Sequence, residues 1–133
     1  MSCLLDTNIC IYIIKRQPPS VLQRFKTYRP GDLSISSITV AELEYGVQKT
    51  NASAKNQQAL GEFLLPLNIV GFDLNCAVVY GQIRANLEKI GQSIGAMDLL
   101  IAAVAIANNL TLVTNNINEF KPISVLKLEN WAD

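Results

Sequence analysis

Apolar positions along the 133-residue chain fall into short solid runs that alternate with longer periodic stretches. Residues 2–5 read as a buried first strand, because Cys3-Leu4-Leu5 carries no polar break. The apolar stretch 9–15 follows Asp6-Thr7-Asn8 and predicts a short helix. Gln17-Pro18-Pro19-Ser20 interrupts it, with Ser20 as candidate cap of a helix over 21–28. Arg29-Pro30-Gly31-Asp32 is a turn, and 33–37 a second strand. A helix is expected over 39–50, where Thr39 and Glu42 have capping-box spacing. Another is expected over 51–65, with Leu60, Phe63 and Leu64 inward and Pro66 as its stop. Residues 68–72 read as a short strand. Tyr80, Ile83, Leu87 and Ile90 recur on one face of a long helix over 74–90. After a loop at 91–95, residues 98–108 are apolar almost all round, so that helix should be deeply buried. A strand at 110–114, a helical turn at 116–120 and a last strand at 125–128 complete the pattern.

Strands that alternate with helices predict an α/β fold in three layers, a mainly parallel sheet with helices on both faces. In such sheets ligands bind beyond the carboxyl ends of the strands. The length suits one domain over 1–133 with a real core, and no linker or repeat divides it.

Composition narrows the chemistry. Eleven basic and eleven acidic residues cancel, which argues against unspecific, charge-driven nucleic-acid binding while leaving room for a local basic rim. The chain has no histidine, so a Ser-His-Asp triad is impossible and the commonest zinc ligand is missing. Cys3, Cys10 and Cys76 lie in apolar contexts and read as buried free thiols of a reducing, cytoplasmic compartment. The start lacks a basic segment, Asp6 interrupts the first apolar run, and 99–107 is too short to span a membrane. A cytoplasmic chain without membrane contact is expected.

Acidic residues stand close behind the strand-like runs: Asp6, Glu42, Asp98 and Glu119. Each has an ordinary explanation as a helix cap or as a charge that offsets the helix dipole. Together they read differently. The apolar runs beside Asp6 and Asp98 draw those carboxylates towards the core, where neighbouring acids raise one another's pKa unless a cation neutralises them. Hard oxygen ligands without histidine suit Mg²⁺ or Mn²⁺, and so phosphoryl chemistry. Thr7, Asn8, Ser36, Thr114, Asn115 and Asn116 can orient carboxylates or hold water around such an ion.

Four segments stand in a telling order: Leu4-Leu5-Asp6-Thr7-Asn8, Ile38-Thr39-Val40-Ala41-Glu42-Leu43-Glu44-Tyr45-Gly46, Ile94-Gly95-Ala96-Met97-Asp98-Leu99-Leu100-Ile101-Ala102, and Leu112-Val113-Thr114-Asn115-Asn116. The chain resembles the PIN-domain ribonucleases, in particular the VapC toxins of bacterial toxin–antitoxin pairs. The resemblance runs from Leu4 to Trp131. Ile94-Gly95, Asn115-Asn116 with Glu119-Phe120, and the Trp131 ending look most like the subgroup that cuts initiator tRNA in its anticodon loop. The resemblance implies a PIN-like α/β/α sandwich and a metal site of Asp6, Glu42 and Asp98, loaded with Mg²⁺ or Mn²⁺. Many family members carry a fourth acid where this chain has Asn116; Glu119, one turn on, is the candidate replacement, directly or through water. The implied reaction is metal-assisted hydrolysis of an RNA phosphodiester that leaves a 5′-phosphate. The implied partners are tRNA, a second copy of the chain as a homodimer, and a VapB-like antitoxin in a higher toxin–antitoxin complex. The antitoxin's tail would cover the pocket, often with an arginine, in a groove beside 9–15 and 51–65.

Lys15, Arg16 and Arg84, with Arg24 and Lys89, are candidates for a phosphate-binding rim. Tyr12 and Tyr45 could stack on an unpaired base but are expected in the core. Two other readings compete. A receiver-like Mg²⁺-binding signalling domain needs an aspartate near its third strand, and 44–72 contains none. A catalytically weak PIN scaffold that only binds RNA or protein is kept open by Asn116 and opposed by Asp6, Glu42 and Asp98.

Overall fold

The computed structural model describes residues 3–132. Five strands form its sheet: β1 (Cys3–Leu5), β2 (Leu33–Ser36), β3 (Asn68–Val70), β4 (Thr111–Val113) and β5 (Leu128–Glu129). Between them lie α1 (Thr7–Lys15), α2 (Pro19–Phe25), α3 (Ser37–Gln48), α4 (Ser53–Leu64), α5 (Leu74–Lys89), α6 (Ala96–Ala107) and the single turn α7 (Ile117–Phe120). Ser2, expected in the first strand, lies outside the described residues.

All four strand pairings are parallel, in the order β3-β2-β1-β4-β5. The chain builds outward from β1 to β3, then crosses back to β4. The order therefore reverses between β1 and β4, and the crevice at their carboxyl ends is the natural ligand site of such a sheet.

The alternation of side chains across the sheet separates two cores. Cys3, Leu5, Leu33, Ile35 and Val113 pack with α1 to α4 and Trp131 on one face. Leu4 and Leu112 pack with α5, α6 and Phe120 on the other. A solid Cys-Leu-Leu run forms β1 because both of its faces are covered. The layered α/β architecture expected from the pattern is the one observed.

Several local expectations are corrected. Ser20 lies inside α2, whose cap position is Pro18; the Pro at the first helical position starts the helix two residues early. The cap of α3 is Ser36, not Thr39. Ser36 has extended backbone angles (φ −81°, ψ 155°), and its hydroxyl accepts the Thr39 N–H at 3.0 Å. Glu42 is thereby released from capping. Ile90 is exposed, because α5 ends at Lys89 and the residue after it leaves the helical face. The last strand is 128–129 rather than 125–128: Leu112 pairs with Leu128, while Val125 is exposed. Tyr45 is 67% exposed and takes no part in the core.

The three cysteines are free and buried. Among the described residues no helix is long and apolar enough to cross a membrane. The C-terminal strand is tied down by Arg24, which pairs with Glu129 at 2.7 Å and lies over the Trp131 ring, itself stacked on Tyr28.

Ser36 is fully buried, so its loss leaves an orphaned N–H as well as an uncapped helix. Ser36→Ala is expected to lower stability by about 1–2 kcal/mol in urea unfolding, and Ser36→Thr to cost much less.

Candidate active site

The four acids arrive at the β1/β4 crevice from four different elements. Asp6 follows β1, where the chain turns out of the sheet. Its N–H still bonds Val113 of β4 at 3.0 Å, and its carboxylate caps α1 by accepting the Ile9 N–H at 2.9 Å. Capping and site membership thus coexist in one side chain, which is only 4% exposed. Glu42 projects from the second turn of α3 and accepts the Thr7 hydroxyl. Thr7 also stands 3.2 Å from the Thr39 hydroxyl, so a chain of hydroxyls from Ser36 through Thr39 and Thr7 leads to the Glu42 carboxylate. Asp98 lies in the first turn of the apolar helix α6. Glu119 comes from α7, where Asn116 Nδ2 donates to its Oε1 at 3.0 Å.

Electrostatics shows that these carboxylates feel one another. Burial pushes the Asp98 pKa up to about 7, helped by a hydrogen bond to Glu119 and by the charges of Glu119, Asp6 and Glu42. Burial also raises Asp6, against the lowering effect of its bonds from Thr114 and Ile9, with Glu42 and Glu119 adding repulsion. No cation answers this charge: the two ion pairs among the described residues are Arg24–Glu129 and Arg84–Glu88, both elsewhere.

The chemistry of the donor set therefore suits a hard divalent cation. A notch fits it too. A Cβ at Gly95 would stand 3.5 Å from Asp98 Oδ2 and 3.7 Å from Glu119 Oε2, so the absence of a side chain there keeps open the space both carboxylates face. The carboxylates are not drawn into a closed cage. Among the described residues, no group of three or more acid or cysteine side chains is gathered tightly enough to hold an ion. Glu42 accepts from Thr7, and Glu119 accepts from Asn116 through Oε1 while it also bonds Asp98.

The supporting polar residues divide. Thr114 is fully buried, bonds Asp6, and accepts the Asn116 N–H at 3.0 Å. Asn115 donates to the Tyr12 hydroxyl at 2.9 Å, and its own buried Oδ1 has no protein partner. Asn8 lines a groove of about 770 Å³ between α1, α3 and α4, together with Thr7, Glu42 and Lys15. Arg16 ends α1 in a left-handed conformation (φ 60°) and is not among the groove's lining residues. Arg84 is held by Glu88 and Tyr80 on α5 and lines a separate cleft of about 200 Å³ under the 92–96 loop. The sequence reading missed Gly95 as the notch, Lys49 in the groove, and the Tyr12–Asn115 bond. Gly95 was visible only as part of a motif, and the other two depend on which helix faces pack together.

A parallel α/β sheet that gathers carboxylates from the turn after β1 and from α3, α6 and α7 at its carboxyl edge defines a PIN-type nuclease fold. The sequence profile of the PIN domain matches residues 3–125, and the chain belongs to the PIN-domain family. Ribonuclease VapC2 of Rickettsia felis is 48% identical over 98% of both chains. The tRNA(fMet)-specific endonuclease VapC of Shigella flexneri is 39% identical over 97% of both. Among solved structures, VapBC2 from Rickettsia felis bound to a DNA fragment from its promoter superposes with a TM-score of 0.92 at 48% identity, covering 98% of this chain and 99% of that one. DNA-bound VapBC from Salmonella typhimurium gives 0.92 at 37% identity, covering 98% of each.

Proposed function

We propose that this chain is a divalent-metal-dependent endoribonuclease toxin that hydrolyses tRNA, initiator tRNA in its anticodon loop, and is neutralised by a VapB-like antitoxin. The observation that carries the reading is the convergence of Asp6, Glu42, Asp98 and Glu119 on one crevice, where burial first, and then the neighbouring carboxylates, raise the pKa of Asp98 to about 7. The tRNA target and the antitoxin rest on the kinship with VapC proteins of those names.

Asp6, Glu42 and Asp98 would hold Mg²⁺ or Mn²⁺, with Glu119 completing the set directly or through water. When bound, the ion supplies Lewis-acid stabilisation of the phosphate and makes water a competent nucleophile near neutral pH. The chain's own residues do the positioning. Thr114 and the Ile9 N–H hold the Asp6 carboxylate at the end of β1. Thr7 holds Glu42. Asn116, in the place where many family members are expected to carry a fourth acid, holds Glu119 instead. Water attacks the phosphorus in line as the P–O3′ bond breaks and the 3′-oxygen takes up a proton, so the RNA's 2′-hydroxyl is not consumed and the cut leaves 5′-phosphate and 3′-hydroxyl ends.

The groove between α1, α3 and α4 suits the antitoxin's tail. Ile11, Ile14, Leu43, Val47 and Leu60 give it an apolar floor, and it opens on Glu42. An arginine on that tail would neutralise the acids in place of the ion. Assembly with an antitoxin is supported by kinship with the solved VapBC complexes, and a homodimer within it is the expectation from the family resemblance.

The test is incubation of total tRNA with the antitoxin-free chain in Mg²⁺, Mn²⁺ or EDTA. A single metal-dependent cut with 5′-phosphate ends, abolished by EDTA, is expected. Undiminished cutting in EDTA, or no cutting by folded, metal-binding protein, would overturn the proposal.

A further inference from the structure

The solvent side of α3 carries three different chemistries in a line. Glu42 and Tyr45 stand at i and i+3 on one face of α3, Lys49 is the C-cap one turn past Tyr45, and all three line the groove. Glu42 belongs to the acid site. Tyr45, less than one turn further on, is a large ring 67% exposed. Lys49 Nζ lies 5.2 Å from that ring's centroid and takes part in neither ion pair found among the described residues. Lys15 from α1 lines the same groove, so it holds two cations and one acid.

A second observation points the same way. Gly46 sits in the middle of α3, where glycine weakens a helix relative to alanine. Nothing lies within 4 Å of where its Cβ would stand, and its φ is not one that demands glycine. Neither packing nor backbone geometry explains it, which holds equally for Gly61 in α4 and Gly81 in α5, so what sets Gly46 apart is its place in the groove. It lines the groove beside Tyr45, where a missing side chain leaves room for something to approach the helix closely.

We propose that Tyr45 and Lys49 form the substrate-docking subsite of the nuclease: the Tyr45 ring stacks on an unpaired base next to the scissile phosphate, and Lys49 meets a neighbouring phosphate. The inference rests on the ribonuclease reading. RNA is favoured over a protein tail at this place by the chemistry. An apolar tail is served by the groove floor of Ile11, Ile14 and Leu60. An exposed ring with an ammonium group beside it matches a base and its phosphodiester. A metal-site carboxylate, a ring and a cation spaced along one helix also match the order of scissile phosphate, base and next phosphate along a single strand.

The experiment measures tRNA cleavage in Mg²⁺ and, separately, tRNA binding in EDTA by fluorescence anisotropy. Wild type is compared with Tyr45→Leu, Tyr45→Trp, Lys49→Ala and Lys49→Arg, each first shown by thermal unfolding to be folded. Tyr45→Leu keeps apolar bulk but removes the ring's π face. It should weaken binding and raise KM by about five- to a hundredfold, with Tyr45→Trp restoring both. Lys49→Ala should lessen the slope of log affinity against log salt by about 0.7, one phosphate contact to a single strand, and Lys49→Arg should restore it. Wild-type cleavage that Tyr45→Leu leaves unchanged would overturn the subsite and leave the nuclease reading standing. Ring-dependent binding without any cleavage by wild type would sustain the subsite and sink the nuclease reading. A Tyr45→Leu chain that cuts and binds RNA normally but resists neutralisation by its antitoxin would assign the ring to the protein partner and overturn the subsite.

Discussion

Asp98→Asn is expected to make the metal-free chain more stable at pH 8 and to leave it unable to cleave RNA. The two effects have opposite signs because they share one cause. Asp98 is half-buried at the start of an apolar helix, bonded to Glu119 and within the fields of Asp6 and Glu42. At pH 8 its charge costs free energy that no neighbouring cation returns. Asparagine is nearly the same shape and carries no charge, so the repulsion ends. The favourable interaction of the aspartate with the helix dipole, about 0.3–1 kcal/mol, is lost at the same time. The net gain should be about 1 kcal/mol, read as a Tm rise of roughly 3–5 °C in EDTA. Catalysis moves the other way, because a carboxylate that would hold the ion has become a neutral amide. Cleavage should fall by on the order of 10²–10³-fold or more, the scale seen when one preorganised electrostatic group is removed. A variant that lost activity and stability together would show Asp98 to be a packing residue. One that kept activity would remove it from the site.

Asp6→Asn separates the same roles differently. Its carboxylate also caps α1, and asparagine caps nearly as well. The helix should persist while the charge at the most buried corner of the site disappears.

How legible the molecule was depends on the kind of information each part needs. The helix α6 and the strands β1 and β4 could be read directly, since unbroken apolar runs such as Leu4-Leu5 and Leu112-Val113 have few alternatives to full burial. The acids could be read as well, because each stands shortly after or at the start of such a run. Caps were harder. Ser36 and Thr39 are both hydroxyl residues ahead of the same helix, and only the backbone angles at Ser36 decide between them. That choice mattered, since a Glu42 engaged in a capping box would have faced the helix end rather than Thr7. The groove was the least legible part. It depends on α1, α3 and α4 meeting edge to edge, and residues as distant as Ile14 and Leu60 line it together. Pairings over that separation leave no periodic trace. Tyr45 shows the consequence: an aromatic residue in an apolar neighbourhood reads as core, and only the packing of its helix reveals it as surface.

The stability of the metal-free chain is expected to fall as the pH rises from about 4 to 7, and divalent cation should reverse the fall. The sign follows from Asp98. Its pKa is about 7 in the folded chain against an ordinary aspartate value of 3.8. Between those values the folded state holds a proton that the unfolded state has released. Stability therefore drops with rising pH across that window, being fully present below about 4 and lost as pH passes through about 7. The raised Asp6 acts in the same direction. Asp73, whose pKa is lowered by its bonds to Cys76, acts only below the ordinary carboxylate range and does not mask the trend. With the solvent screening of a half-exposed group allowed for, the loss should be about 1–2 kcal/mol. An ion competes with that proton for the same carboxylates. At a concentration a hundredfold above its dissociation constant it stabilises by about 2.7 kcal/mol, and the effect should be large at pH 8 and small at pH 5. Thermal unfolding at both pH values, in Mg²⁺ and in EDTA, measures all four corners. A chain in EDTA that gains stability between pH 5 and 8, or a Mg²⁺ shift of equal size at both, would mean that the four carboxylates do not share one ion.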